Sequence, residues 1–223
     1  MNIENKRDFF KENGYCDFSI KDVDVDFFNF LDANLACDEE KNLQSRFSEF
    51  RFDSDVIETK FRSEDNSYET ARAKKEELFN QYPNADVTQC WYSDRNIDSN
   101  TYSKIRNGIN NIVKYFYDGA SVHPSNDDEL QLTYYDNNCV FAPHSDGKTV
   151  NLCSIIIYLN RNYDKSNGGL LFLKDGHVVP EFGQCALMDL SKHDIKHGVT
   201  KVTGGPGRYA ILAFPKPLES IKD

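Results

Sequence analysis

Two hydrophobic periods divide the chain. Up to about residue 126, apolar positions recur at three- and four-residue intervals in "NKRDFFKENG", "DVDVDFFNFLDANLA", "SYETARAKKEELFNQYP" and "SNTYSKIRNGINNIVKYFYDG", the spacing that gives a helix one apolar face. The last is the clearest: Tyr102, Ile105, Ile109, Ile112, Val113 and Phe116 form a stripe suited to packing on a sheet. Asp22 is read as the cap of the second helix. Short strand candidates, "YCDFSI", "RFSEFRF" and "VTQCWYS", interrupt these helices. From residue 127 the period becomes that of strands. "ELQLTYYD", "TVNLCSIIIYLN", "GGLLFLK", "QCALMDL", "IKHGVTKV" and "RYAILAF" are short, β-branched or aromatic, and separated by Asn, Asp, Gly and Pro. This succession predicts an α+β, mainly β fold: a double-stranded β-helix (jelly-roll, cupin-like) core over 127–217, braced by the helices of 1–126. A chain of 223 residues can bury one such core, so a single domain over 1–223 is expected.

Composition narrows the function classes. Acidic residues outnumber basic ones, 36 to 26, for a net charge of −10. No basic run could follow a phosphate backbone, so nucleic acid is not expected as a partner. The amino terminus lacks the apolar stretch of a signal peptide and no segment is long enough to span a bilayer, which predicts a soluble, cytoplasmic protein. Six scattered cysteines without a C-x-x-C pair predict reduced thiols and neither a zinc site nor a redox pair.

The candidate chemistry starts in "VFAPHSDGKT". Residues two apart on an extended chain face the same way, so His144 and Asp146 can converge on one ion. Two ligands hold a metal poorly, and the later histidines are His177, His193 and His197. His177 sits in a hairpin-like turn, "LKDGHVV", and reads as a surface residue. His193 and His197, both in "SKHDIKH", compete for the third position; strand-like residues flank His197, whereas His193 has an acidic neighbour in a loop. Two histidines and one carboxylate leave half of an octahedron open, an arrangement suited to ferrous iron that activates oxygen. Alone, an H-x-D triplet is as well explained by a solvated turn.

The wider set of motifs carries a family resemblance. "QLTYYDNNCVFAPHSD", "IIIYLN", "GGLLFL", "VVPEFGQCALMD" and "HGVTKVTGGPGRYAI" resemble, in order and spacing, the iron(II)- and 2-oxoglutarate-dependent dioxygenases, and within them the prolyl 4-hydroxylase-like group. The resemblance covers about residues 129 to 215. It implies His144, Asp146 and His197 as iron ligands, and Arg208, eleven residues beyond His197, as the partner of the distal carboxylate of 2-oxoglutarate. A planar guanidinium suits that role because it can grip a carboxylate through two parallel hydrogen bonds. The resemblance also implies that Tyr158 helps hold this carboxylate and that Tyr135 lines the pocket. Neighbouring strand residues face opposite ways, so only one of Tyr134 and Tyr135 can point inward. Gly168, Gly169, Pro180 and Gly183 match turn positions and are read as structural.

The implied cofactors are Fe(II), 2-oxoglutarate as co-substrate and O2, with ascorbate as an optional addition. The implied reaction is hydroxylation of an unactivated C–H bond, on a peptide, a protein or a free amino acid, by a monomer or homodimer. Asp146 favours hydroxylation over halogenation, since related halogenases resemble one another in having a small residue there. Phe214 stands where nucleic-acid demethylases of the superfamily resemble one another in a second arginine. Two alternatives remain: a non-catalytic cupin-like metal- or ligand-binding protein, and a small-metabolite hydroxylase of the phytanoyl-CoA hydroxylase type. A zinc hydrolase is disfavoured because no dedicated general base lies near the triad. Substrate choice is expected to lie in two polar segments, residues 51 to 67 and 160 to 167. Replacing His193 and His197 separately by Ala separates the competing ligands: His197→Ala is expected to abolish metal-dependent turnover and His193→Ala to retain it, with the reverse result reassigning the ligand.

Overall fold

The computed structural model describes residues 1–37, 51–54, 89–93, 98–120, 130–146, 151–191 and 194–218. Helix α1 (Ile3–Asn13) begins where the Asn2 side chain accepts from the Asn5 N–H and ends at Gly14 in the left-handed region. Strand β1 (Tyr15–Ser19) and a 3-10 turn (Ile20–Asp22) lead into α2 (Val25–Asn34). The cap of α2 is Asp24, whose Oδ1 accepts from the Phe27 N–H at 2.8 Å. Asp22, the expected cap, lies one step earlier inside the 3-10 turn. The repeat "DVDVD" offers three aspartates at alternate positions, and pattern alone does not select among them.

Helix α3 (Ser99–Phe116) is capped by Asp98 and buries Ile105, Ile109, Ile112, Val113 and Phe116 of the expected stripe, with Tyr102 half-buried at its start. The helix expected in "SYETARAKKEELFNQYP" lies outside the described residues. Strands β2 (Arg51–Ser54) and β3 (Gln89–Ser93) pair antiparallel.

The remaining strands are β4 (Leu130–Tyr135), β5 (Phe141–His144), β6 (Cys153–Tyr158), β7 (Leu171–Leu173), β8 (Gly176–Val178), β9 (Gln184–Asp189), β10 (His197–Val199) and β11 (Arg208–Ala213). They form two sheets. One has seven strands in the order β1-β9-β6-β11-β4-β3-β2, and the other four in the order β5-β10-β7-β8. All pairings within them are antiparallel. Two facing antiparallel sheets with helices on one side are the expected jelly-roll, mainly β with bracing helices.

Alternation along the central strands separates two surfaces of the large sheet. Ser154 and Ile156 of β6, Thr133 and Tyr135 of β4, and Arg208 and Leu212 of β11 face a cavity. The intervening Cys153, Ile155 and Ile157 join α1, α2 and α3 in one buried cluster. There Phe116 of α3 meets Phe18 of β1 and Phe10 of α1 with ring centroids 4.7 and 5.4 Å apart. Since β6 is buried at every position, its continuous apolar run is explained by cover on both faces.

One contact shows how tightly the helices sit. A Cβ added to Gly108 in α3 would lie 2.2 Å from the ring of the buried Phe27 in α2. Helix propensity favours Gly108→Ala by about 1 kcal/mol, but overpacking costs about 1–3 kcal/mol. Packing is expected to win, giving a net loss of about 1 kcal/mol in urea unfolding; an unchanged or raised midpoint would contradict this packing.

Candidate metal and co-substrate site

Between the sheets lies a cavity of about 70 Å³ whose walls include His144, Asp146, His197 and Arg208. His144 ends β5 and His197 opens β10, and the two are direct cross-strand partners. Their rings lie 4.3 Å apart. The register shifts between His197 and Val199, a local irregularity of a kind that sheets use to re-aim a side chain beside a site. Gly198 occupies the shift because a Cβ there would press on the Phe172 ring and the Phe141 carbonyl.

Both imidazoles are fixed in the same way. His144 Nδ1 lies 3.0 Å from Ala142 O, and His197 Nδ1 lies 3.1 Å from Ile195 O. A carbonyl pairs only with a donor, so Nδ1 carries the proton in each ring and Nε2 keeps its lone pair. Both Nε2 atoms turn toward Asp146, 3.3 Å from its Oδ1 for His144 and 3.7 Å from its Oδ2 for His197. One ligand atom from each residue lies within 4.8 Å of the others. Burial lowers the pKa of His197, and the Asp146 charge opposes that only in part, so the imidazole is held toward its neutral, ligating form.

The carboxylate oxygen Oδ2 of Asp146 is buried without a hydrogen-bond donor among the described residues. A buried acceptor left unpaired is costly. A cation between this oxygen and the two imidazole Nε2 atoms satisfies the buried acceptor, so the residues fit a resident metal. Hard oxygen and imidazole nitrogen with no thiolate suit a ferrous ion, and the Nδ1–carbonyl bonds are the outer support such ligands usually have.

Arg208 sets the other end of the cavity. Only 2% exposed, its guanidinium carbon stands 4.7 Å from the ring centre of Tyr135, directly across on β4, and 5.0 Å from that of Tyr158 on β6. Its Nε and the Tyr158 hydroxyl have no hydrogen-bond partner among the described residues. Burial raises the pKa of the Tyr158 phenol, and the neighbouring Arg208 charge offsets part of that rise, so the phenol stays a donor. Two aromatic faces contribute roughly 2 kcal/mol each at best to a desolvated cation, less than the several kcal/mol an unpaired buried charge costs. A carboxylate in the cavity would close the gap by meeting the guanidinium and, at its edge, the phenol.

The expected residues are therefore brought together with distinct placements. Tyr135 lines the cavity, whereas Tyr134 faces away and stacks on Tyr209 with ring centroids 4.4 Å apart. Tyr158 stands behind Arg208 rather than on the cavity wall. Gly169, read as structural, also borders the site: a Cβ there would sit 3.4 Å from Arg208 Cδ and 2.7 Å from the Tyr163 hydroxyl. His177 is exposed on β8, as expected. His193 lies outside the described residues.

The segment 160–167, one of the two expected to select substrate, is tied down at several points. Asn160 is buried, Arg161 pairs with Asp32 of α2, Tyr163 donates to Gly168 O, and Asp164 caps a 3-10 turn at Lys165–Asn167. Of the other segment expected to select substrate, residues 51 to 54 are strand β2 and residues 55 to 67 lie outside the described residues.

Residues 130–215 match the model of the 2OG-Fe(II) oxygenase superfamily. These residues are similar to the 2OG-Fe(II) oxygenase core. The matched span holds both sheets except β1, β2 and β3, and it includes the whole cavity. With this core come Fe(II), 2-oxoglutarate and O2 as the cofactor set. Among solved structures, a Pseudomonas putida prolyl-4-hydroxylase shares 14% identity over 96% of this chain and 97% of its own, with a TM-score of 0.51, a likeness of fold. A Trichoplax adhaerens prolyl hydroxylase, solved with a hypoxia inducible factor peptide fragment, matches 95% of this chain and 87% of its own at 14% identity and a TM-score of 0.42. The viral collagen prolyl hydroxylase of Paramecium Bursaria Chlorella virus-1 matches 92% and 98% at 13% identity, also with a TM-score of 0.42. No curated protein matches the sequence.

Because the Asp146 Oδ2 is buried without a hydrogen-bond donor among the described residues, Asp146→Ala is expected to separate metal binding from stability. The variant should lose the rise in melting temperature that Fe(II) or Mn(II) gives the native protein, while its metal-free form melts no lower than the native one. A clear drop in metal-free melting temperature would show that Asp146 is paired and structural.

Proposed function

We propose that this protein is an Fe(II)- and 2-oxoglutarate-dependent hydroxylase whose iron is held by His144, Asp146 and His197 and whose co-substrate is anchored by Arg208. The observation that carries this reading is a buried guanidinium, without an ion-pair partner among the described residues, on the wall of the cavity that holds a His-Asp-His cluster. A metal site alone would not need Arg208, and a simple anion site would not need the triad. When bound, the iron and 2-oxoglutarate supply the oxidative chemistry that places hydroxyl on an unactivated C–H bond.

The protein's own residues orient and enclose that chemistry. The Nδ1–carbonyl bonds hold both imidazoles with Nε2 toward the metal position. The Arg208 guanidinium receives the distal carboxylate and fixes the co-substrate's direction through its planar fork. Tyr158 can add a phenolic hydrogen bond to that carboxylate, and Tyr135 covers one face of the guanidinium. Ile156, Leu171, Val199 and Leu212 line the same cavity and keep water from competing for these charges.

For the substrate we infer a peptidyl or free amino acid, with a prolyl residue favoured. The support is the set of motifs shared with the prolyl 4-hydroxylase-like group. Phe214 also lines the cavity where a second arginine would serve a nucleic-acid substrate. The net charge of −10 likewise disfavours a polyanion.

Anaerobic titration with Fe(II) and 2-oxoglutarate tests the chemistry. The expected result is a weak visible charge-transfer band, followed by slow succinate release on admitting air. In Arg208→Ala, the lost charge-assisted pair should weaken 2-oxoglutarate binding by about 2–3 kcal/mol, roughly 30- to 150-fold. Normal 2-oxoglutarate affinity in Arg208→Ala would misplace the pocket. A well-folded native protein with neither band nor succinate would leave a non-catalytic cupin-like binding protein.

A further inference from the structure

A single buried side chain joins the backbone on both sides of Arg208. Asn160 is 1% exposed; its Nδ2 donates to Gly207 O at 2.8 Å, and its Oδ1 accepts from the Tyr209 N–H at 2.7 Å. The sheet explains why a side chain does this. β11 pairs with β6 in a register that sets Ala210 opposite Tyr158, so continuing it would place Tyr209 opposite Leu159 and Gly207 opposite Arg161. In a regular antiparallel ladder the Tyr209 N–H would bond Leu159 O, and Gly207 O would accept from the Arg161 N–H.

Both of those partners are taken elsewhere. Leu159 O accepts from the Cys37 N–H at 2.7 Å, and the Arg161 N–H donates to Cys37 O at 2.7 Å. Only the Leu159 N–H keeps its ladder bond, to Tyr209 O. The Asn160 carboxamide stands in for the missing peptide groups, its oxygen replacing Leu159 O and its amide replacing Arg161 N–H. It alone among common side chains of this size offers both a donor and an acceptor in one plane.

Gly207 makes the arrangement sensitive. Its φ is +86°, and a Cβ there would lie 2.4 Å from the Tyr134 ring and 2.9 Å from Tyr135 O. The residue just before Arg208 is thus a left-handed glycine with wide backbone freedom, and its carbonyl accepts from Asn160 Nδ2. Tyr135 of β4 pairs with Arg208 on one edge of β11, and the two Asn160 bonds hold the other edge, where the ladder to β6 is interrupted.

We propose that Asn160 is a positioning residue for the co-substrate: its carboxamide fixes the peptide groups flanking Arg208 and so sets the direction in which the guanidinium enters the cavity. The inference rests on the reading of Arg208 as the anchor of the distal carboxylate. It goes beyond that reading by assigning co-substrate affinity to a residue that does not line the cavity.

The test compares 2-oxoglutarate with oxalate, which chelates a metal but has no distal carboxylate, by anaerobic titration of the Fe(II)-loaded protein. Native protein, Asn160→Ala and Arg208→Ala are measured at a temperature where near-ultraviolet circular dichroism shows each folded. Asn160→Ala should bind 2-oxoglutarate about tenfold more weakly, the loss of one well-aligned charge-assisted hydrogen bond, with oxalate within about twofold of native. If Asn160→Ala fails to fold, Asn160→Gln keeps the amide and displaces it by one methylene; the same selective loss is expected. Equal weakening of both ligands, or no change in either, would overturn the inference while Arg208→Ala still shows selective loss. If Arg208→Ala itself shows none, the reading of the pocket fails instead.

Discussion

A positive charge buried between two sheets is the constraint around which the core is arranged. Arg208 cannot reach water at 2% exposure, and two tyrosine faces do not match what its hydration supplied. The surrounding sequence accommodates it: β4 places Tyr135 directly opposite, β6 places Tyr158 on the same inner face, and Gly169 leaves room beside its stem. The resulting pocket has a fixed cation at one end and, at the other, a His-Asp-His cluster that could hold a metal ion. A molecule that joins them needs a carboxylate at one end and a chelating group at the other, which is the chemistry of a 2-oxo dicarboxylate.

Such a site lowers the stability of the protein that carries it. The Asp146 oxygen, the Tyr158 hydroxyl and the Arg208 Nε are all buried without hydrogen bonds among the described residues, and each is a group that a ligand could satisfy. The cost is met by the far side of the large sheet, where Ile155 and Ile157 of β6 share an apolar cluster with the isoleucines of α3 and the phenylalanines of α1, α2 and β1. The bracing helices thus support a central sheet whose inner face is occupied by polar, functional groups.

Much of this was legible in the chain. The stripe of α3 and strands β4, β6, β7, β9, β10 and β11 follow from periodicity, because side-chain direction is a local consequence of backbone geometry. The grouping of His144, Asp146, His197 and Arg208 was implied by the family resemblance, since spacing alone left His193 open as a third ligand. Three features were hidden for definite reasons. β5 is a four-residue strand with a proline and no clean alternation, so its extent shows only where β10 pairs with it. The choice of Asp24 over Asp22 as a cap depends on where the 3-10 turn ends. Asn160 reads as the first residue of a polar loop, and only the approach of Cys37, from far earlier in the chain, takes its neighbours' ladder bonds and turns its side chain into a piece of sheet.

The most direct test is an anaerobic crystal structure of the protein with Mn(II) in place of iron and 2-oxoglutarate added. The metal is predicted to be bound by Nε2 of His144, Nε2 of His197 and a carboxylate oxygen of Asp146, with the distal carboxylate of 2-oxoglutarate on the Arg208 guanidinium. A metal held by other residues, or a co-substrate whose distal carboxylate leaves Arg208 untouched, would contradict the proposed site.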